Sequence, residues 1–158
     1  MNTVLCYGDS LTWGADAAAG GRHARQDRWP NVLAAGLGSE VEVITDGLRG
    51  RTTAYDEHLA DCDRNGARIL PTVLYAHAPL DLVILMLGAN DMKPHIAGTA
   101  LAAMQGMRRC VELVRINAMR DSSTTPPHVL IVAPPALCET ADFEFSAMMA
   151  RFERIAIR

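Results

Sequence analysis

Four short apolar runs, at residues 4–7, 41–44, 81–87 and 128–133, recur along the 158-residue chain with segments of helical spacing between them. That alternation narrows the possible folds more than any other feature. A brief apolar run bounded by glycine, proline or polar turns fits a strand buried on both faces. Strands that alternate with helices imply right-handed crossovers, and hence a parallel sheet with helices on both faces. The length suits one domain, able to bury roughly 70% of its unfolded surface. With 49% hydrophobic and 21% charged residues, the chain can support a real core.

Between the runs, Trp29, Val32, Leu33, Gly36 and Leu37 recur at helical spacing, and Gly38 is placed to cap that helix. Residues 66–78 form an amphipathic pattern through Ile69, Leu70, Val73, Leu74 and His77, with Pro71 near its start. A long helix is expected over residues 99–119, with Leu101, Met104, Met107, Val111 and Val114 facing inward as core filling. Residues 15–27, 45–53, 54–65, 88–91 and 121–127 read as loops, Pro134-Pro135 ends the fourth run, and residues 142–158 read as helical.

The first strand runs directly into Gly8-Asp9-Ser10-Leu11-Thr12-Trp13-Gly14. In a parallel sheet this places Ser10 at the carboxyl edge, where open α/β folds bind their ligands. The loops at 45–53 and 88–91 follow strands in the same way and reach the same edge. A serine hydroxyl is a weak nucleophile unless a base takes its proton and donors hold the oxyanion that forms on an acyl carbon. Ser10 is the candidate nucleophile and offers its own N–H. Gly50, whose missing side chain permits close backbone approach, and the non-titrating Asn90 amide are the candidate donors. Gly-Asp-Ser is also a common turn, and Gly-x-Asn-Asp after a strand can be an Asx turn; the conjunction of three such loops favours chemistry.

At these residues the chain resembles the SGNH, or GDSL-type, hydrolase family. Gly8-Asp9-Ser10-Leu11 matches its first block, the loop ending in Gly50 its second, and Gly88-Ala89-Asn90-Asp91 its third. The wording Ser10-Leu11-Thr12-Trp13-Gly14, Arg28-Trp29, Gly47-Leu48, Arg51-Thr52-Thr53, Asn65-Gly66-Ala67 and Leu80-Asp81-Leu82-Val83 is similar to the bacterial arylesterase and acyltransferase branch. The resemblance implies a three-layer α/β/α, flavodoxin-like fold and a serine esterase acting on short aryl or alkyl acyl esters, with acyl transfer to alcohols or peroxide in some members. Ser10, Gly50 and Asn90 carry over as nucleophile and oxyanion donors, and Leu11 and Trp13 are expected to wall the acyl pocket. No metal or organic cofactor is implied.

One family block has no counterpart. The family carries its acid and base in a late Asp-x-x-His, and no aspartate here has histidine three residues after it. The single domain over residues 1–158 is therefore expected to be C-terminally incomplete, or its base replaced from elsewhere. Among His23, His58, His77, His95 and His128, only His95 lies close to the third block. Two alternatives stay open: a carbohydrate acetylesterase or lysophospholipase/thioesterase on the same fold, and an inactive fragment or binding module without the triad acid and base.

Other classes are disfavoured. A net charge of -3 and only scattered arginines at 22, 25 and 28 give no footprint for nucleic acid. No Gly-x-Gly-x-x-Gly or Gly-Lys-Ser/Thr follows a strand, which argues against a nucleotide module. The longest apolar run is far too short for a membrane span, and with no leader before the first strand a cytoplasmic protein is expected. Cys6, Cys62, Cys110 and Cys138 are widely spaced and read as reduced, small core residues. A homo-oligomer assembled through the loop before Trp29 is the expectation that the resembling branch suggests.

Overall fold

A computed structural model of the protein describes residues 2–118 and 125–135. Strands β1 (Asn2–Gly8), β2 (Val41–Gly47), β3 (Leu82–Met86) and β4 (His128–Ile131) form one sheet in the order β2-β1-β3-β4. All three pairings are parallel, as the strand-helix alternation requires. The order is that of a flavodoxin-like sheet, and the fold is the SGNH α/β architecture expected from the sequence.

Side-chain parity divides the core in two. Leu5, Tyr7, Val83 and Leu85 point to one face, where they pack against Leu70, Val73 and Leu74 of α3 (Gly66–His77) and Met107, Cys110, Leu113 and Val114 of α4 (Ala100–Ala118). Val4, Cys6 and Ile84 point to the other, where Trp29 and Leu33 of α2 (Trp29–Leu37) cover them. Successive strand residues face opposite sides, so a run apolar at every position is what two covered faces demand. Gly38 ends α2 as the expected cap, with φ +78, a region that favours glycine, and its N–H on the Ala34 carbonyl. Asn65 caps α3 by accepting from the Arg68 N–H, and Pro71 sits inside its second turn.

Four expectations need correction. The runs at 41–44 and 128–133 are not fully buried strands: β2 and β4 are the outer strands of the described sheet, β2 is half-buried, and Leu130 and Ile131 are exposed. The second strand also continues through Gly47, into the span read as loop. In α4, Met107 and Val114 face inward but Leu101 and Met104 are exposed. Cys6 and Cys110 are core residues, whereas Cys62 is exposed. The expectations for Cys138, for residues 119–124 and for the helix at 142–158 lie outside the described residues.

The register is what builds the site. Gly8 pairs with Gly47 on one side and Met86 on the other, so three strands end at one level and release their loops at one edge. The first loop forms α1 (Ser10–Trp13), which packs directly on β2. Gly47 makes this possible: a Cβ there would overlap the backbone nitrogen of Trp13 and lie 2.6 Å from the carbonyl carbon of Thr12.

Gly47→Ala should therefore cost roughly 1–3 kcal/mol or more, because rigid backbone has to move. Gly36→Ala, in α2 with open space around it, should instead stabilise by about 0.5–1 kcal/mol. Urea unfolding of the two variants beside the parent checks both signs; equal effects would sink the packing argument.

Candidate functional site

Asp9 starts α1. Its carboxylate Oδ1 accepts the Leu11 N–H at 2.9 Å, while the Trp13 N–H closes the turn onto the Asp9 carbonyl at 2.9 Å. Ser10 thus stands at the first helical position, directly beyond the end of β1, and is partly exposed. Among the described residues neither its N–H nor its hydroxyl has a hydrogen-bond partner.

The second loop turns at Gly50, where φ is +79, a region that favours glycine. Its N–H also donates to none of the described residues. Behind it, Arg51 is 3% exposed and anchors the corner. Nη1 donates to the carbonyls of Gly8 at 3.0 Å and Asp46 at 2.8 Å, Nη2 pairs with Asp46 Oδ1 at 2.7 Å, and the guanidinium lies 4.0 Å above the Tyr7 ring. The Leu48 N–H adds a bond to the Gly8 carbonyl at 3.1 Å.

The third loop turns at Gly88 into a 3-10 turn, Asn90–Met92. Asn90 is buried, and its Nδ2 donates to the Arg51 carbonyl at 3.1 Å and approaches Asp9 Oδ2 at 3.5 Å. The first contact fixes the amide, and the second is longer than an ordinary hydrogen bond, so that proton can turn to another oxygen. Asp91 is fully buried and locks the second loop to the third: it accepts the Thr53 N–H at 3.0 Å and also the Thr53 hydroxyl. Burial pushes the Asp91 carboxyl up from its ordinary range, with the Thr53 hydrogen bonds acting in the opposite direction. Burial likewise pushes Asp9 up to about 6, with the Leu11 N–H opposing and the Asp91 charge adding to the rise.

The three residues singled out from the sequence therefore meet at one corner. Asn90 touches the residue before Ser10 and the residue after Gly50. Leu11 and Trp13 follow on α1, both partly buried. The Trp13 ring is flanked by guanidinium groups, Arg22 at 4.6 Å and Arg49 at 5.4 Å. The histidines stay apart from this corner's hydrogen bonds: His95 pairs with Glu57 at 3.3 Å, His23 with Asp16 at 3.5 Å, and His58 and His128 are exposed. The positioning roles of Asp9, Arg51 and the Thr53–Asp91 pair escaped sequence reasoning. Asp9, Arg51 and Asp91 adjoin residues that were singled out, and Arg51 and Thr53 lie in the Arg51-Thr52-Thr53 wording of the resemblance, but neither signal gave them a role.

Among the described residues no helix is long and apolar enough to cross a membrane. A model of the GDSL-like lipase/acylhydrolase family matches residues 6–156. Among solved structures, a carbohydrate acetylesterase family member from Sinorhizobium meliloti is 61% identical with a TM-score of 0.92, over 99% of this chain and 74% of that one. A second carbohydrate acetylesterase from the same organism is 39% identical, TM-score 0.86, over 94% and 71% of the two chains. The aryl esterase of M. smegmatis is 41% identical, TM-score 0.88, over 98% and 74%. No curated protein gives a significant match to the sequence. With a family model spanning nearly its whole length and close structural relatives among the acetylesterases and aryl esterases, this chain belongs to the GDSL-like lipase/acylhydrolase family of SGNH-fold carboxylic ester hydrolases.

Proposed function

We propose that Ser10 is the nucleophile of an esterase for short acyl esters, acetyl esters foremost, with the Ser10 and Gly50 N–H groups and the Asn90 amide as oxyanion donors. The observation that carries this reading is the pair of backbone N–H groups, on Ser10 and Gly50, left without described acceptors beside a buried amide with one weakly held proton. Ser10 Oγ attacks the acyl carbon and loses its proton to a base, the three donors take up the charge on the carbonyl oxygen, and the alcohol leaves with the proton. Water then releases the acid and restores the serine. An alcohol or peroxide in place of water would give acyl transfer from the same intermediate. The acetyl preference draws on the acetylesterases among the structural neighbours.

Asp9 is not that base in this reading. Its two oxygens are directed at the Leu11 N–H and the Asn90 amide, which makes it a positioning residue for both nucleophile and oxyanion donor. None of the five histidines shares a hydrogen bond with Ser10 among the described residues. The hydrogen bonds of this corner among the described residues do not supply the base, and the chain spans 74% of the length of the acetylesterase and aryl esterase neighbours.

Intact-mass analysis of the protein as expressed from its full reading frame, after exposure to a fluorophosphonate, is expected to give one adduct that Ser10→Ala abolishes. Asn90→Ala should lower kcat on 4-nitrophenyl acetate by roughly a hundredfold to a thousandfold, with little change in the thermal midpoint relative to that loss. A full-frame protein of 17.1 kDa that takes no label would leave the binding-module reading in its place.

The Asp9 environment makes a separate prediction about stability. The folded protein holds the Asp9 proton up to about pH 6, whereas the unfolded chain releases it near 3.8, so the folded state binds more protons in that window. Stability then falls as pH rises from about 4 to 6 and levels off above, by on the order of 3 kcal/mol for this one group. Asp9→Asn keeps a capping oxygen and should flatten that part of the profile. Chemical denaturation at half-unit pH intervals measures it, and an unchanged slope would remove Asp9 as its source.

A further inference from the structure

The arginines that look scattered in the sequence converge around Trp13. Arg22 and Arg49 lie over its ring, and the Arg22 Nε also donates to the Trp13 carbonyl at 2.6 Å. Arg28 holds the His23 carbonyl at 2.9 Å; desolvation first, and then the charges of Arg22 and Arg25, lower its hold on its proton, which places these three cations within electrostatic reach of one another. The two acidic residues of the same segment are already engaged, Asp16 by its own turn and by His23, and Asp27 by Gln26. Arg49 is exposed, has no hydrogen bond or ion pair among the described residues, and immediately precedes Gly50. Trp13 lies one helical turn beyond Ser10, a rise of about 5 Å.

From this placement we infer that the Arg22–Trp13–Arg49 cluster is a binding subsite for an anionic group on the ester substrate, a carboxylate carried by the alcohol portion within one sugar or aryl ring of the scissile bond, which moves Trp13 from the acyl side, where the sequence reading put it, to the alcohol side. The inference rests on the esterase reading of Ser10 and refines its substrate class. A guanidinium held over an indole by cation–π attraction still has its N–H donors to offer, and these can meet a carboxylate in bidentate fashion. Arg22 is spent partly on the Trp13 carbonyl, so Arg49, 5.4 Å from the ring centroid, is the group with donors to offer. An exposed cation retained beside a nucleophile without an internal partner costs little in water and gains when an anion arrives, most of all at low ionic strength.

The test uses a matched pair, 4-acetoxybenzoate and its methyl ester, each rate normalised to hydrolysis by hydroxide. The parent protein should favour the anion in kcat/KM by roughly fivefold, the worth of one good exposed ion pair, and that preference should fade in 0.5 M salt. Arg49→Gln should bring the ratio below about twofold, and Arg49→Lys should restore part of it. Equal ratios in parent and Arg49→Gln, or a preference indifferent to salt, would overturn the subsite. Binding of 4-hydroxybenzoate against methyl 4-hydroxybenzoate to the Ser10→Ala protein, followed calorimetrically, keeps the two proposals separate. If no ester is turned over but the anion still binds more tightly and loses that advantage in Ser10→Ala/Arg49→Gln, the subsite stands and the esterase reading falls.

Discussion

The buried guanidinium of Arg51 is the tie on which the corner depends. Gly8 ends β1 and Asp46 lies near the end of β2, and their carbonyls point at the same space above the sheet edge. Unpaired, those carbonyls would each carry the cost of a buried polar group. A planar fork satisfies both, reaches the Asp46 carboxylate with its second nitrogen, and covers the Tyr7 ring with its face. Lysine could supply charge and three donors, but all from one nitrogen and without the planar fork that spreads them over two. Because Arg51 is fixed through its side chain, its own carbonyl is fixed as well, and that carbonyl orients the Asn90 amide. One residue thus connects two strand ends to the geometry of the third loop.

Two buried carboxylates, Asp9 and Asp91, hold the loops around Asn90 at some energetic cost. Asp91 holds the Thr53 N–H and hydroxyl, so the loop after Gly50 cannot drift relative to Asn90, and Cys110 of α4 adds its thiol to the Thr53 carbonyl. Asp9 takes the Leu11 N–H and faces the amide from the opposite side. Burial raises both carboxyls, and the Asp91 charge adds to the rise at Asp9. Hydrophobic side chains would pack here more cheaply, but they could not hold backbone N–H groups at set positions. The expense is understandable where donors must be aimed before a substrate arrives.

Much of this was legible in the sequence because the site is made by strand ends, and strand ends are visible as apolar runs that stop at glycine. Ser10, Gly50 and Asn90 each sit within three residues of such a stop or loop glycine. Lateral position in the sheet was misread rather than hidden: Glu42 breaks the run at 41–44, unlike the unbroken apolar run at 82–86, and β2 lies at the edge of the described sheet and is only half covered. The helix α4 shows a second limit. Three-residue steps fall about 60° short of a full turn, so a stripe drawn through Leu101, Met104 and Met107 slides by about 120° around the helix. Met107 and Val114 meet the sheet while Leu101 and Met104 come out exposed. Arg51 was hidden for a different reason, since its acceptors are backbone carbonyls 43 and 5 residues away and have no residue type to read.

The same contrast separates chemistry from selectivity in this fold. Every loop that contributes to the corner around Ser10 is tied to another: the first through Asp9 and Asn90, the second through Arg51 and Thr53, the third through Asp91. The segment of residues 15–27 is held differently. Among the described residues it is held by the Ala15 N–H on the Ser10 carbonyl, the His23 N–H on the Gly14 carbonyl, the Arg22 side chain on the Trp13 carbonyl and the Arg28 side chain on the His23 carbonyl, none of which reaches Asp9, Gly50 or Asn90. Changes in that segment can therefore alter what lies beside Trp13 without disturbing the hydrogen bonds that aim Ser10, Gly50 and Asn90. Under the proposed reading, a fold that keeps its donors on mutually tied strand ends, and brings Arg22 to Trp13 from a separately anchored loop, can change the group it recognises while keeping the bond it cleaves.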